Sequence, residues 1–239
     1  VLPVGVVGKS KYQPYVVYAL IAINMVVFIW ELYVQSLGQN AFIGALRAYA
    51  LNVCEVGVEP LPGLALDSLR SMFLHGDLLH LFGNMLFLWV FGGKVEEYFG
   101  RVPFLVFYLI VGHAAALGHV LFGGVVCLTS GSTAGLVIGA SGAIAGVMGA
   151  FLFLHPGARV RTLIGLFRPF FWEMKLPAIL FLGYWFILDV LKGIGWISSL
   201  GVAHWAHIGG FVAGFALVFV ATLFWRPAPQ ADPFAYLDE

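Results

Sequence analysis

The chain has 239 residues, of which 61% are hydrophobic and only 10% charged, with a mean hydropathy of +0.96 and a formal net charge of zero. A soluble domain carries about 25% charged residues, so a bilayer is the solvent that tolerates this composition. The balanced charge and the lack of a basic run argue against nucleic acid as a partner. At about 20 apolar residues per span, the length allows six or seven spans and little else.

In chain order, residues 1–14 read as a cytoplasmic N-terminal segment. They hold no apolar stretch followed by a cleavage site, so they are not read as a signal peptide. Span 1 is expected at 15–34. The loop 35–77 follows and includes Pro60-Leu61-Pro62-Gly63. It is too apolar for a solvated linker, so part of it is expected to lie in the membrane interface as short amphipathic helices. Span 2 is placed at 78–99 and span 3 at 103–122. A Gly-rich, uncharged loop covers 123–138. Span 4, at 139–154, is short and stops at His155-Pro156-Gly157, a strong breaker. Span 5 is placed at 176–191 and span 6 at 203–225, before a polar cytoplasmic tail at 226–239. The fold class is an all-α polytopic membrane bundle of six helices with a short central fourth helix.

Lys and Arg set the orientation. One side collects nine, namely Lys9, Lys11, Lys94, Arg101, Arg159, Arg161, Arg168, Lys175 and Arg226; the other holds three, Arg47, Arg70 and Lys192. Both termini are therefore expected in the cytoplasm, and even-numbered spans run inward from the outer side. Ser141 opens span 4, His80 and Asn84 lie near the start of span 2, and His207 near the start of span 6. All four fall at similar depth in the outer half of the membrane.

Ser141 stands in Gly139-Ala140-Ser141-Gly142, at a helix start, where free N–H groups and the positive end of the dipole receive an oxyanion. Small residues also serve helix contacts in membranes, so a packing serine is the competing reading. Gly142, Gly146 and Ala150 form one row at i, i+4 spacing, beside Ser141, Ala145 and Gly149. His207, Gly210 and Gly214 share a face, which sets the imidazole against another helix and not against lipid. Polar groups inside spans are costly, and an imidazole can take a proton from a serine and return it to a leaving amine. His204, one turn earlier, is expected nearer the water interface in a supporting role. His80 and Asn84, at i, i+4, can donate to a developing oxyanion or form a clasp between helices. His75 sits in the loop just above. A metal site from His75, His80 and His207 lacks any supporting spacing, and neither metal nor cofactor is expected. Glu31 and Asp189, in or near spans 1 and 5, fall in the wrong places by this topology. A Ser-His dyad is the simpler reading, with Asp189 capping or anchoring span 5. Glu96, at the cytoplasmic end of span 2, is expected to be structural.

The pattern resembles the rhomboid family of intramembrane serine proteases. HxxxN matches His80 and Asn84, GxxxExxxG matches Gly92, Glu96 and Gly100, GxSG matches Gly139 to Gly142, and AHxxGxxxG matches Ala206, His207, Gly210 and Gly214. The resemblance runs from about Leu69 to Phe219. It implies Ser141 as nucleophile, His207 as base and acid, and an oxyanion hole from the Ser141 N–H, His80 and Asn84. Gly139, Gly142, Gly210, Gly214, His75 and Glu96 would support the site. It also implies cleavage of single-pass transmembrane proteins near their outer end, after the peptide bond leaves its helix and next to a small residue. Substrates would enter from lipid beside span 5, under a cap formed by the loop 193–202. Where many members carry Trp-Arg in the first loop, this chain has Leu66 and Asp67, with Arg70 nearby. Cys54 and Cys127 fall on the outer side, where an oxidising compartment permits a bridge; their apolar context favours free thiols. Two rival readings are a non-catalytic relative that binds membrane clients, and a transporter. The retained serine and histidine oppose the first, and the lack of an inverted repeat opposes the second. A prokaryotic plasma membrane is the expected location.

Overall fold

Among the described residues, four runs of apolar sequence form helices long enough to cross a bilayer: α1 (Tyr15–Ser36), α4 (Leu78–Phe99), α5 (Arg101–Phe122) and α8 (His204–Phe224). The computed structural model describes residues 2–8, 12–56, 60–123, 135–165, 172–198 and 202–224. Lys9, Lys11, Cys127, Arg168, Arg226, part of the expected cap and the expected tail 226–239 lie outside these residues. Two short helices, α2 (Gln39–Tyr49) and α3 (Leu61–Ser71), occupy the first loop, and α6 (Ser141–Leu154) and α7 (Ala178–Gly193) complete the helical set among the described residues. The ends of α1, α4, α5, α6, α7 and α8 lie within a few residues of the six hydrophobic segments marked in the sequence. At 1.5 Å per residue a 22-residue helix is about 33 Å long, but the 14 residues of α6 reach only about 21 Å and the 16 of α7 about 24 Å. The hydrocarbon core is about 30 Å thick, so the two short helices differ from the four long ones in what they can cross alone.

The sequence predicts no strands, and the described residues contain five. β1 (Leu2–Val6), β4 (Arg159–Ile164) and β5 (Trp172–Pro177) form an antiparallel sheet in the order β1-β4-β5. Val160 and Thr162 are buried, alternating with exposed Arg159 and Arg161, the period-two pattern of a half-buried strand. β2 (Leu51–Asn52) and β3 (Leu136–Val137) pair antiparallel, which ties the first loop to the segment leading into α6. A 3-10 turn, Val53–Glu55, follows β2, and its Cys54 is disulfide-bonded, against the expectation of free thiols.

Buried carboxylates act as helix caps. Glu96, fully buried on α4, accepts the N–H groups of Val16 (3.2 Å) and Val17 (2.9 Å) and the Tyr12 hydroxyl (3.2 Å). It thereby satisfies donors that the first turn of α1 leaves open, a structural role as expected. Asp77 caps α4 by accepting the His80 N–H at 2.8 Å. Gly100, at φ +79°, turns the chain directly from α4 into α5 in a conformation L side chains rarely adopt. In the first loop Arg70 pairs with Asp67 (3.4 Å) and lies over the Tyr49 ring (5.7 Å), bracing α3 against α2 where the Trp-Arg pair is missing.

α6 is buried on every side from Gly142 to Phe151, between α4, α5 and α8. Its contact with α8 is backbone on backbone. A Cβ on Gly210 would overlap the Gly142 carbonyl, and one on Gly214 the Gly146 carbonyl, while one on Gly142 would meet the Ala115 Cβ of α5 at 2.6 Å. Gly214→Ala is therefore expected to destabilise the fold by about 1–3 kcal/mol through overpacking, despite the helix propensity alanine brings. Gly183→Ala on α7, where a Cβ meets nothing within 4 Å, is the control and should leave thermal unfolding in detergent unchanged or slightly raised. Equal behaviour of the two variants would contradict the close-contact account.

Candidate active site

Because α6 and α8 meet along glycines, the first residue of one faces the first turns of the other. Ser141 is the first residue of α6, and its N–H is among those a helix start leaves without an internal partner. Its Oγ lies 2.8 Å from His207 Nε2. Upstream, Gly139 adopts φ +112°, and its N–H donates to the Ser71 carbonyl at 2.8 Å. A side chain there would be strained, and it would also collide with His80, since a Cβ would stand 2.8 Å from its Cε1 and Nε2 and 3.6 Å from Asn84 Nδ2. Glycine thus lets α4 bring both side chains against the approach to Ser141. Asp77, His80, Asn84, Ser141, Trp185 and His207 help line one cavity of about 540 Å³. His80, Asn84, Ser141 and His207 all line this cavity.

Asp189 corrects the sequence reading. It was placed away from the site, yet its Oδ2 accepts His207 Nδ1–H at 2.8 Å and its Oδ1 accepts His204 Nδ1–H at 2.5 Å. The reason is direction: α7 runs opposite to α6 and α8, so its last turns meet the first turn of α8. His204, expected nearer water, is buried, as is Asp189. A usable signal was present, since a carboxylate in an apolar helix requires a partner, and two imidazoles stand at the matching end of the next helix. In the tautomer that donates Nδ1–H to the carboxylate, His207 Nε2 is an acceptor for the Ser141 hydroxyl. The Trp185 ring lies beside His207, with centroids 5.7 Å apart. Ligand atoms of Asp189, His204 and His207 lie within 4.8 Å of one another, close enough to hold a metal ion, but the hydrogen bonds between them already account for the grouping.

Glu31 was also placed off the site, and it reaches the site through the backbone. Both of its carboxylate oxygens accept the His75 N–H at 3.0 Å. His75, fully buried in the turn before α4, donates from Nδ1 to the Phe73 carbonyl (3.3 Å) and accepts at Nε2 from Asn84 Nδ2 (2.9 Å). The second Asn84 N–H remains for another acceptor. This pattern requires a neutral imidazole, and burial, helped by the adjacent His80 ring, pushes His75 down to about 4.

The sequence model of the Rhomboid domain matches residues 65–224. The chain is 32% identical over 152 residues to "RHOMBOID-like protein 6, mitochondrial" of Arabidopsis thaliana, covering 64% of this chain and 42% of that protein. It is 34% identical over 155 residues to "RHOMBOID-like protein 5" of the same plant, covering 65% and 43%. To "Rhomboid protease GluP" of Bacillus subtilis (strain 168) it is 31% identical over 149 residues, covering 62% and 25%. The chain thus spans less than half the length of each of these relatives.

The His75 arrangement has a pH consequence. Between about 6.5 and 4 the unfolded imidazole binds a proton that the folded one does not, so the stability it contributes is present above about 6.5 and lost as pH falls toward 4. The thermal midpoint should fall on acidification through this window, and His75→Gln should flatten part of that slope. An unchanged slope in the variant would remove His75 from this account.

Proposed function

The chain belongs to the rhomboid family, and from that premise we propose that it is an intramembrane serine endopeptidase. The observation that carries this reading is the 2.8 Å contact between Ser141 Oγ and His207 Nε2 at the wall of a cavity that His80 and Asn84 also line. His207 removes the hydroxyl proton as Ser141 attacks a peptide carbonyl. The tetrahedral oxyanion takes hydrogen bonds from the Ser141 N–H, His80 and Asn84, with Asn84 aimed by His75. His207 then protonates the leaving amine, and water in the cavity hydrolyses the acyl-enzyme.

The substrate class is a single-pass transmembrane protein cleaved near its outer end. Phe87 of α4 and Trp185 of α7 line the cavity beside its polar residues, which suits entry of an apolar helix from lipid between α4 and α7. In this reading α6 and α7 are the fourth and fifth of six spans, and the Lys/Arg bias puts both termini in the cytoplasm. The shortness of α6 sets Ser141 below the outer membrane surface, and a water-filled cavity must reach it from that side. A non-catalytic client-binding role would need neither the serine nor the histidine, and this chain has both in contact.

A fluorophosphonate probe tests this without knowledge of the substrate. Wild-type protein in detergent should label, Ser141→Ala and His207→Ala should not, and His80→Ala or Asn84→Ala should slow labelling about 100-fold. Folded wild type that resists both the probe and a small isocoumarin would favour the client-binding relative instead.

A further inference from the structure

We infer that Asp189 is a positioning residue for the reaction, and that His204 holds it in place, so that the serine and histidine work with a carboxylate and a second imidazole behind them. The inference rests on the reading of Ser141 and His207 given above. Its observations are geometric. One carboxylate, buried on α7, spends one oxygen on His207 Nδ1 (2.8 Å) and the other on His204 Nδ1 (2.5 Å). Each imidazole offers the same ring nitrogen, so each can donate only in the tautomer with the proton on Nδ1. For His207 that tautomer leaves Nε2 as the acceptor facing Ser141 Oγ.

The carboxylate therefore does three things. It selects the His207 tautomer, it fixes the ring plane relative to α6, and it offsets the positive charge that His207 carries after taking the serine proton. Without His204 the carboxylate would keep only one of these two hydrogen bonds and could rotate away from His207. His204 is one helical turn before His207 on α8, so a single helix supplies both donors. Trp185, one turn before Asp189 on α7, lies beside the His207 ring and limits its swing.

An asparagine at 189 is the sharpest test, because its amide has one accepting and one donating end. It can accept from only one imidazole and must present N–H to the other. Where N–H faces His207, the ring is driven to the opposite tautomer, with its proton on Nε2 toward the serine. The expected result for Asp189→Asn is a fall in the maximal fluorophosphonate labelling rate of at least about 100-fold, with half-saturating probe concentration little changed. Collapse of the cavity would move both quantities. His204→Ala should slow labelling about tenfold, and His204→Gln, which keeps a side-chain N–H donor, should restore much of it.

Nitrogen-15 NMR of histidine-labelled protein supplies a readout independent of activity. In wild type, His207 should show a protonated Nδ1 and an unprotonated Nε2, and Asp189→Asn should reverse or mix them. A wild-type spectrum with the proton on Nε2 overturns the inference, even if the variant fails to fold. So does a folded Asp189→Asn protein that labels at the wild-type rate. Wild type that never labels would sink the peptidase reading alone, since the tautomer measurement still decides whether Asp189 sets His207.

Discussion

The near-contact of two helix backbones governs everything else in this molecule. In a bilayer there is no hydrophobic force to push helices together, so close packing must come from small residues and van der Waals contact. Gly142, Gly146, Gly210 and Gly214 remove the side chains that would hold α6 and α8 apart. A serine hydroxyl and an imidazole both reach only a few ångströms from their backbones. Their 2.8 Å approach follows once the helices themselves touch. The chemistry is thus set by residues with no chemistry of their own.

The second theme is how charge survives in an apolar solvent. Buried carboxylates are costly unless their lone pairs are filled. Glu96 fills its own with the open amides of a helix start, Glu31 with a turn amide, and Asp189 with two imidazoles. Each of these links two separate elements of the chain, so each polar group also serves as a specific fastener. Two of the three connect to the cavity, one through His75 and Asn84 and one through His207.

Much of this was legible beforehand. The rows of small residues and the shared face of His207, Gly210 and Gly214 follow from helical periodicity alone. The alternation of spans predicts that Ser141, His80, Asn84 and His207 lie together, and all four line one cavity. What escaped was partnership across loops. Asp189 is 15 and 18 residues from its two histidines, and no periodicity carries over from α7 to α8. Glu31 acts through a backbone amide 44 residues away, which has no signature in side-chain pattern. The strands were hidden for another reason. β2 and β3 are two residues each, and the alternation in β4 is short and sits among arginines that read as a charged loop.

The cap that Glu96 places on α1 also has a meaning in time. The amides of Val16 and Val17 are synthesised 80 and 79 residues before the carboxylate that satisfies them. At about 5–20 residues per second, the ribosome needs roughly 4–16 s to supply it. During that interval the first turn of α1 has no Glu96 carboxylate to cap it. Docking of α4 then closes that turn, so α1 is locked only by the end of a helix made after it. Assembly of this bundle has a built-in order, written in the distance between a helix start and its cap.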